Sequence, residues 1–158
     1  MKLNKLLLVG LAAFGLMAAG CAKHEVSSTS SGGNAHGAST HGVKSMGAKP
    51  STNSVYFAFD SSALDAAGSA TLDAYAAWLN GHGGVRVTVE GNCDQRGSRE
   101  YNLALGQQRA DSVKDYLVAH GVSASRIDTV SFGEERPACT GTGEACWAQN
   151  RHADIVSR

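Results

Sequence analysis

Residues Val89–Ala110, VEGNCDQRGSREYNLALGQQRA, lead out of a strand, through a glycine-bounded loop and into a helix. Just upstream, Val85-Arg86-Val87-Thr88-Val89 alternates with period two, as a half-buried strand does. Gly91 to Gly97 reads as a loop that holds one acidic residue, Asp94. Ser98 is suited to cap a helix running to about His120, and Gly121 to end it. With successive residues 100° apart, Asn102, Leu105, Gly106, Arg109, Ala110, Val113, Tyr116 and Leu117 fall within an arc of about 140°. That arc is expected to face a sheet. Arg109 is the one charge inside it, and a buried charge is costly unless paired. Asp94, in the loop beside the N-terminal end of this helix, is its expected partner. A carboxylate and a guanidinium held a short distance apart suit a zwitterion, such as the ammonium and carboxylate on one amino-acid carbon.

The segments on either side repeat the alternation of strand and helix. Val55-Tyr56-Phe57-Ala58-Phe59 is a short β-rich run. Asp60-Ser61-Ser62 supplies helix-start chemistry, and Leu64, Leu72, Tyr75, Ala76 and Leu79 lie at helical spacing up to about Asn80. Gly81-His82-Gly83-Gly84 breaks that helix. Ile127–Phe132 predicts a third strand, and Asp154–Ser157, with a start as early as His152, a fourth. This order predicts an α/β (α+β) two-layer sandwich, βαβαβ(α)β, with a mixed sheet over residues 55–158.

The N-terminal third reads differently. Lys2 and Lys5 precede an apolar run, Leu6–Met17, of about a dozen residues. It falls short of the ~20 needed to span a bilayer but fits a secretory signal over residues 1–20. Ala18-Ala19-Gly20-Cys21 resembles a bacterial lipobox, which makes Cys21 the lipidated mature N-terminus. Three acyl chains there exceed the two signals needed for stable anchoring. By the same resemblance Ala22, where Asp signals inner-membrane retention, implies the outer membrane. From there to about Ser54 the chain is rich in Ser, Gly, Thr and His without apolar periodicity. It is expected to be a disordered tether, residues 21–54, with a root-mean-square span of roughly 30 Å. His24, His36 and His41 read as solvated linker histidines.

Charge and cysteines narrow the function. The 158 residues carry 14 basic and 14 acidic side chains, with no basic excess to neutralise phosphates. Binding of nucleic acid by counterion release is therefore disfavoured. Cys139 and Cys146 enclose Thr-Gly-Thr-Gly-Glu-Ala, too wide for a zinc knuckle. In an exported protein a local disulfide is the better reading. It would stabilise by about 2.5 kcal/mol if unstrained. Cys93 is then odd, and exchange of pairing with it stays open. A nucleophile built from Cys93 with His82 or His152 has no supporting signature. Glu90, Asp94 and Glu100 offer carboxylates for a hydrolase, but an Asp94 paired to Arg109 would have a lowered pKa and make a poor general acid. The reading is a binding protein rather than an enzyme, with no metal or cofactor.

The stretch 89–110, and the chain from about Val55 to Val156, closely resembles the peptidoglycan-associated lipoprotein branch of the OmpA-like domain family. The match includes Asp94-Gln95-Arg96-Gly97 and the pattern Asn102-x-x-Leu105-x-x-x-Arg109-Ala110. By this resemblance Asp94 and Arg109 hold the ammonium and carboxylate of diaminopimelate in the wall's stem peptide. Asn102, Leu105 and Gly97 belong to the same site, and Phe59-Asp60 borders it. Asn92-Cys93 departs from the commoner His-Thr or His-Ala. The resemblance implies non-covalent peptidoglycan binding that links the outer membrane to the wall. It also implies a place in the Tol-Pal system with the β-propeller protein TolB, supporting envelope integrity and outer-membrane constriction in division. Two other readings are a wall-anchoring relative without Tol partners and a purely structural Asp94–Arg109 pair.

Overall fold

The computed structural model describes residues 47–158. The signal segment, the lipidation site Cys21 and most of the expected tether lie outside the described residues. The elements run β1 (Ser54–Tyr56), α1 (Ala66–Gly81), β2 (Val87–Asn92), α2 (Arg99–Ala119), a 3-10 turn (Ala124–Arg126), β3 (Ile127–Gly133), α3 (Glu144–Asn150) and β4 (His152–Ser157). The sheet is mixed, in the order β1-β4-β2-β3. β2 runs parallel to β3 and antiparallel to β4, and β1 pairs antiparallel with β4. The parallel step needs a crossover, and α2 supplies it.

The core lies between α1, α2 and one face of the sheet. Leu72, Tyr75, Ala76 and Leu79 of α1 and Ala110, Val113 and Leu117 of α2 pack on Val55, Val87, Val89, Ile127, Ala153 and Ile155. The buried positions of α2 are Asn102, Leu105, Gly106, Arg109, Ala110, Val113 and Leu117, all in the arc expected from its helical spacing, whose remaining member, Tyr116, is half-buried. Ser98 caps α2 by accepting from the Tyr101 N–H at 3.2 Å, and Gly121 takes the left-handed φ of +92° just beyond its end.

The first helix starts later than expected. Asp65, not Asp60, is its N-cap, accepting from the Gly68 N–H at 2.7 Å. Asp60 instead sits at φ +54°, a left-handed conformation that Asp tolerates better than most residues. The chain therefore turns sharply after Phe59 and passes Ala58–Ser61 across the first half of α2. β1 is also shorter than expected. Phe57 leaves the strand ladder, and its N–H donates to the Arg151 carbonyl at 2.9 Å.

One contact positions α2 over the sheet. A methyl group at Gly91 would lie 1.8 Å from the Gly106 carbonyl oxygen, and one at Gly106 would lie 2.3 Å from Ser131 Oγ. Helix and strand backbones thus touch with no side chain between them, an approach only glycine allows. Directly after this crossing the register between β2 and β3 shifts at Gly91/Asn92. The bulge turns the chain off the sheet and into the Cys93–Gly97 loop.

Candidate functional site

The loop after β2, the turn after β1 and the first half of α2 enclose a cavity of about 350 Å³. Phe59, Asp60, Asp94, Gly97, Asn102, Leu105 and Arg109 all line it, so the site residues read from the sequence converge there. Cys93, Arg96 and Tyr101 line it too. Phe59 and Tyr101 are exposed at 56% and 48%, which places them at the mouth. Tyr101 Oη donates to the Asp60 carboxylate and ties the two sides of that mouth together.

Arg109 is fully buried. Its Nε donates to the Ser61 carbonyl at 2.9 Å, its Nη1 to the Asn92 carbonyl at 2.8 Å and Cys93 Sγ at 3.3 Å, and its Nη2 to the Ala58 carbonyl at 3.1 Å. The guanidinium has five N–H groups. The remaining one, on Nη2, meets no acceptor among the described residues. Burial pushes Arg109 down from its ordinary value, with nearby Asp94 acting in the opposite sense. A guanidinium nevertheless stays charged at physiological pH. The cation is thus solvated by backbone carbonyls and the Cys93 sulfur and has no bonded carboxylate among the described residues.

This corrects the expected pairing of Arg109 with Asp94. Asp94, 3% exposed, is held by two other arginines. Its Oδ1 accepts from Arg96 N and Nε at 3.1 and 3.0 Å. Its Oδ2 accepts from Arg96 Nη2 at 2.7 Å and Arg151 Nη1 at 3.2 Å. The pairing differs because Arg109 points across the turn at residues 58–61, whereas the Asx-like turn Asp94–Arg96 folds the carboxylate back on its own loop. Burial by itself would raise the Asp94 carboxyl, but the bonds from Arg96 and Arg151 outweigh it and hold it below the usual carboxylate range. All four acceptor directions of Asp94 are used. A ligand ammonium reaches it only by taking the place of one of these donors.

Asn102 adds a polar wall. Its Nδ2 donates to Glu134 Oε2 at 2.5 Å. Because a carboxylate only accepts, this contact fixes the amide orientation and leaves Oδ1 as the group Asn102 offers elsewhere. Gly97, at φ +114°, lies beside it; a methyl group there would be 3.2 Å from the Tyr101 ring and 3.4 Å from Asn102 Oδ1. The loop takes this turn because glycine adopts it without strain.

Cys93 is a buried free thiol on the cavity floor. It donates to the Asn102 carbonyl at 3.3 Å, and burial pushes it up despite the nearby Arg109. His82 and His152 bond to the Trp78 and Gln149 carbonyls, not to Cys93. The thiol therefore lacks the base and the low pKa of a nucleophile. Two of the carboxylates weighed for hydrolysis, Glu90 and Asp94, have arginine partners. Glu90 lies 3.6 Å from Arg136, and Asp94 is held in its ionised form. Cys139 and Cys146 are joined as a disulfide.

Sequence reasoning missed Arg151. Its position next to β4 gave no periodic signal, yet it bonds Asp94 and, through Nη2, Glu144 Oε1 at 2.6 Å. In the sequence Arg96 stands out only as part of the Asp94–Gly97 motif. Its guanidinium carbon lies 3.9 Å from the Phe59 ring centroid and 4.2 Å from that of Trp147.

The fold and this loop–helix site define a class, and the profile of the OmpA family matches residues 56–151. The chain belongs to the OmpA family. Within it, the chain is similar to the peptidoglycan-associated lipoproteins. That of Pasteurella multocida is 51% identical over 104 residues, covering 66% of this chain and 69% of that protein. That of Haemophilus influenzae is 50% identical over 104 residues, covering 66% and 68%. The crystal structure of the peptidoglycan-associated lipoprotein from Burkholderia pseudomallei superposes with a TM-score of 0.67 at 44% identity, over 68% of this chain and 91% of that one. The C-terminal domain of Helicobacter pylori MotB, 18% identical with a TM-score of 0.63, shares the fold.

Proposed function

We propose that the chain is an outer-membrane lipoprotein whose folded domain binds peptidoglycan non-covalently through the diaminopimelate of the stem peptide. The observation that carries this is Arg109: a buried cation on a cavity wall, with one free N–H and no bonded carboxylate. An anion entering the cavity meets uncompensated positive charge in a region of low dielectric, where the attraction is strong. A ligand carboxylate fits there. It would accept from the free Nη2 N–H and gain from the charge of the whole guanidinium. Its neighbouring ammonium would meet Asn102 Oδ1 and the Asp60 carboxylate on the other walls, and would reach Asp94 by taking the place of one of its arginine donors, while Leu105 and Phe59 take the aliphatic part. This reading assigns binding, not hydrolysis. The relatives are named for association with peptidoglycan, which agrees with it.

In this reading residues 1–20 are a signal, Cys21 carries the lipid, residues 21–54 are the tether, and residues 55–158 form the wall-binding domain facing the periplasm. Membrane and wall are joined by a reversible bond. The likeness to the peptidoglycan-associated lipoproteins supports a place in the Tol-Pal system, with TolB as partner and constriction of the envelope in division as the process served. A pull-down on intact sacculi with wild type and Arg109→Ala tests the core of the reading. Wild type should sediment and the variant should not; equal sedimentation by a folded variant places the site elsewhere.

A further inference from the structure

We propose that Trp147 and Glu144, carried on the disulfide-stapled helix α3, are positioning residues for the cavity: they fix Arg96 and Arg151, and these in turn fix the Asp94 carboxylate. The proposal rests on the wall-binding reading for its ligand but not for its geometry. α3 itself contributes no residue to the cavity lining. It stands behind the wall that Arg96 and Asp94 form.

The contacts run in series. The Arg96 guanidinium lies against two rings, Phe59 at 3.9 Å and Trp147 at 4.2 Å from the centroids. A planar guanidinium held by aromatic faces keeps its edge free for hydrogen bonds. That edge is directed at Asp94, through Nε at 3.0 Å and Nη2 at 2.7 Å. Glu144 reaches both arginines, with Oε1 at 2.6 Å from Arg151 Nη2 and Oε2 at 3.6 Å from Arg96 Nη2. Arg151 completes the set, with Nη1 on Asp94 and Nε on the Phe57 carbonyl at 3.0 Å.

α3 cannot hold this arrangement alone. Seven residues are too few for a helix to persist by its own hydrogen bonds. Two ties fix it. The disulfide joins Cys146 within the helix to Cys139 before it. The Asn150 side chain, at the other end, bonds the Cys139 carbonyl and N–H, each at 2.8 Å. Both ties converge on Cys139, so the helix is fastened at one point and offers Glu144 and Trp147 to the arginines. The indole N–H of Trp147 has no hydrogen-bond partner among the described residues. What the side chain supplies is its ring.

The test uses the full chain as wild type, Trp147→Ala, Trp147→Phe and Cys139→Ser/Cys146→Ser, each checked for folding by circular dichroism. Two quantities are measured: affinity for a soluble muropeptide that contains meso-diaminopimelate, and the titration of Asp94 by NMR. Trp147→Ala and the double serine variant should lose about tenfold in affinity, the scale of a well-packed guanidinium–aromatic contact. Asp94 should titrate higher in both, because its donors are no longer held. Trp147→Phe keeps a ring and should restore both. If Trp147→Ala folds, binds like wild type and leaves the Asp94 titration unmoved, the proposal is overturned. A fall in affinity with Asp94 unmoved overturns it as well, since the route through Asp94 is then wrong. If wild type itself does not bind the muropeptide while Trp147→Ala still shifts Asp94, the function proposed above fails and the positioning chain stands.

Discussion

Asp94 and Arg151 meet inside the domain, Oδ2 to Nη1 at 3.2 Å, with 3% and 7% of their side chains exposed. They are 57 residues apart in the chain, so the bond ties the site loop to the start of β4. Such a pair gives little net stability compared with a well-packed apolar pair, but removing Arg151 takes away one of the two arginines that hold Asp94 and leaves the Phe57 carbonyl without its donor. Arg151→Ala should therefore destabilise by about 1–3 kcal/mol, the scale of a buried acceptor left open. Urea unfolding of the two proteins measures it, and a change of under about 1 kcal/mol would place this pair in the class of weak surface contacts.

Arg109→Lys separates a site residue from a generic charge. Lysine keeps the charge but not the planar fork that reaches the carbonyls of Ala58, Ser61 and Asn92. At least one buried acceptor is left open, at about 1–3 kcal/mol each. A lowered Tm together with weak sacculus binding is the expected result. Wild-type behaviour in both would show that positive charge alone is enough.

Acid should weaken the fold through Asp94 and Asp154. In both, burial acts to raise the carboxyl, and hydrogen bonds outweigh it: from Arg96 and Arg151 to Asp94, and from His152 and Ser54 to Asp154. Their folded pKa values lie below the unfolded ones. The stability they contribute is fully present above the ordinary carboxylate value of about 4 and is lost as pH falls through the lower folded values. Unfolding free energy should decline below about pH 4. Asp94→Asn should flatten part of that decline, and an unchanged slope would remove Asp94 from the account.

Ligand chemistry can be read by competition. Free meso-diaminopimelate should release the protein from sacculi. Lysine has one carboxylate fewer and should release less. Equal competition by both would mean that Arg109 does not select the second carboxylate.

Cys21 is tested separately, outside the described residues. Cys21→Ser should block lipid attachment and move the protein out of the membrane fraction. Mass spectrometry of the mature wild-type protein should find the modification on Cys21; an unmodified terminus at another residue would refute it.

Much of this was legible because local signals and fold agree. The wheel through Asn102, Leu105 and Arg109 named one face of α2, and that face is buried. Ser98 and Gly121 bounded the helix because caps act through adjacent backbone. The partner of Arg109 was not legible. Proximity suggested Asp94, but two of the acceptors are carbonyls on a turn about 50 residues away and a third is the Asn92 carbonyl, and a carbonyl leaves no trace in residue type. The role of Asp60 was misread for a related reason. Asp favours both helix caps and left-handed turns, and only the packing of α1 decides between them. Arg151 was invisible because it sits between α3 and β4 with no periodic context. The touch of Gly91 on Gly106 is marked in the sequence only by two glycines in neighbouring elements, residues that permit close approach.

That touch also sets how the cavity responds to change elsewhere. Two backbones in van der Waals contact form a hard stop, since neither can compress as a side chain can. Asn102 and Arg109 lie one turn to either side of it along α2, so the stop acts as a pivot through the middle of the site. Trimming the far end of the helix, at Val113 or Leu117, would let that end settle toward the sheet without drawing the pivot inward. Stability and cavity shape are thereby partly uncoupled: the core can drift in sequence while the spacing between the site loop and its helix stays the same.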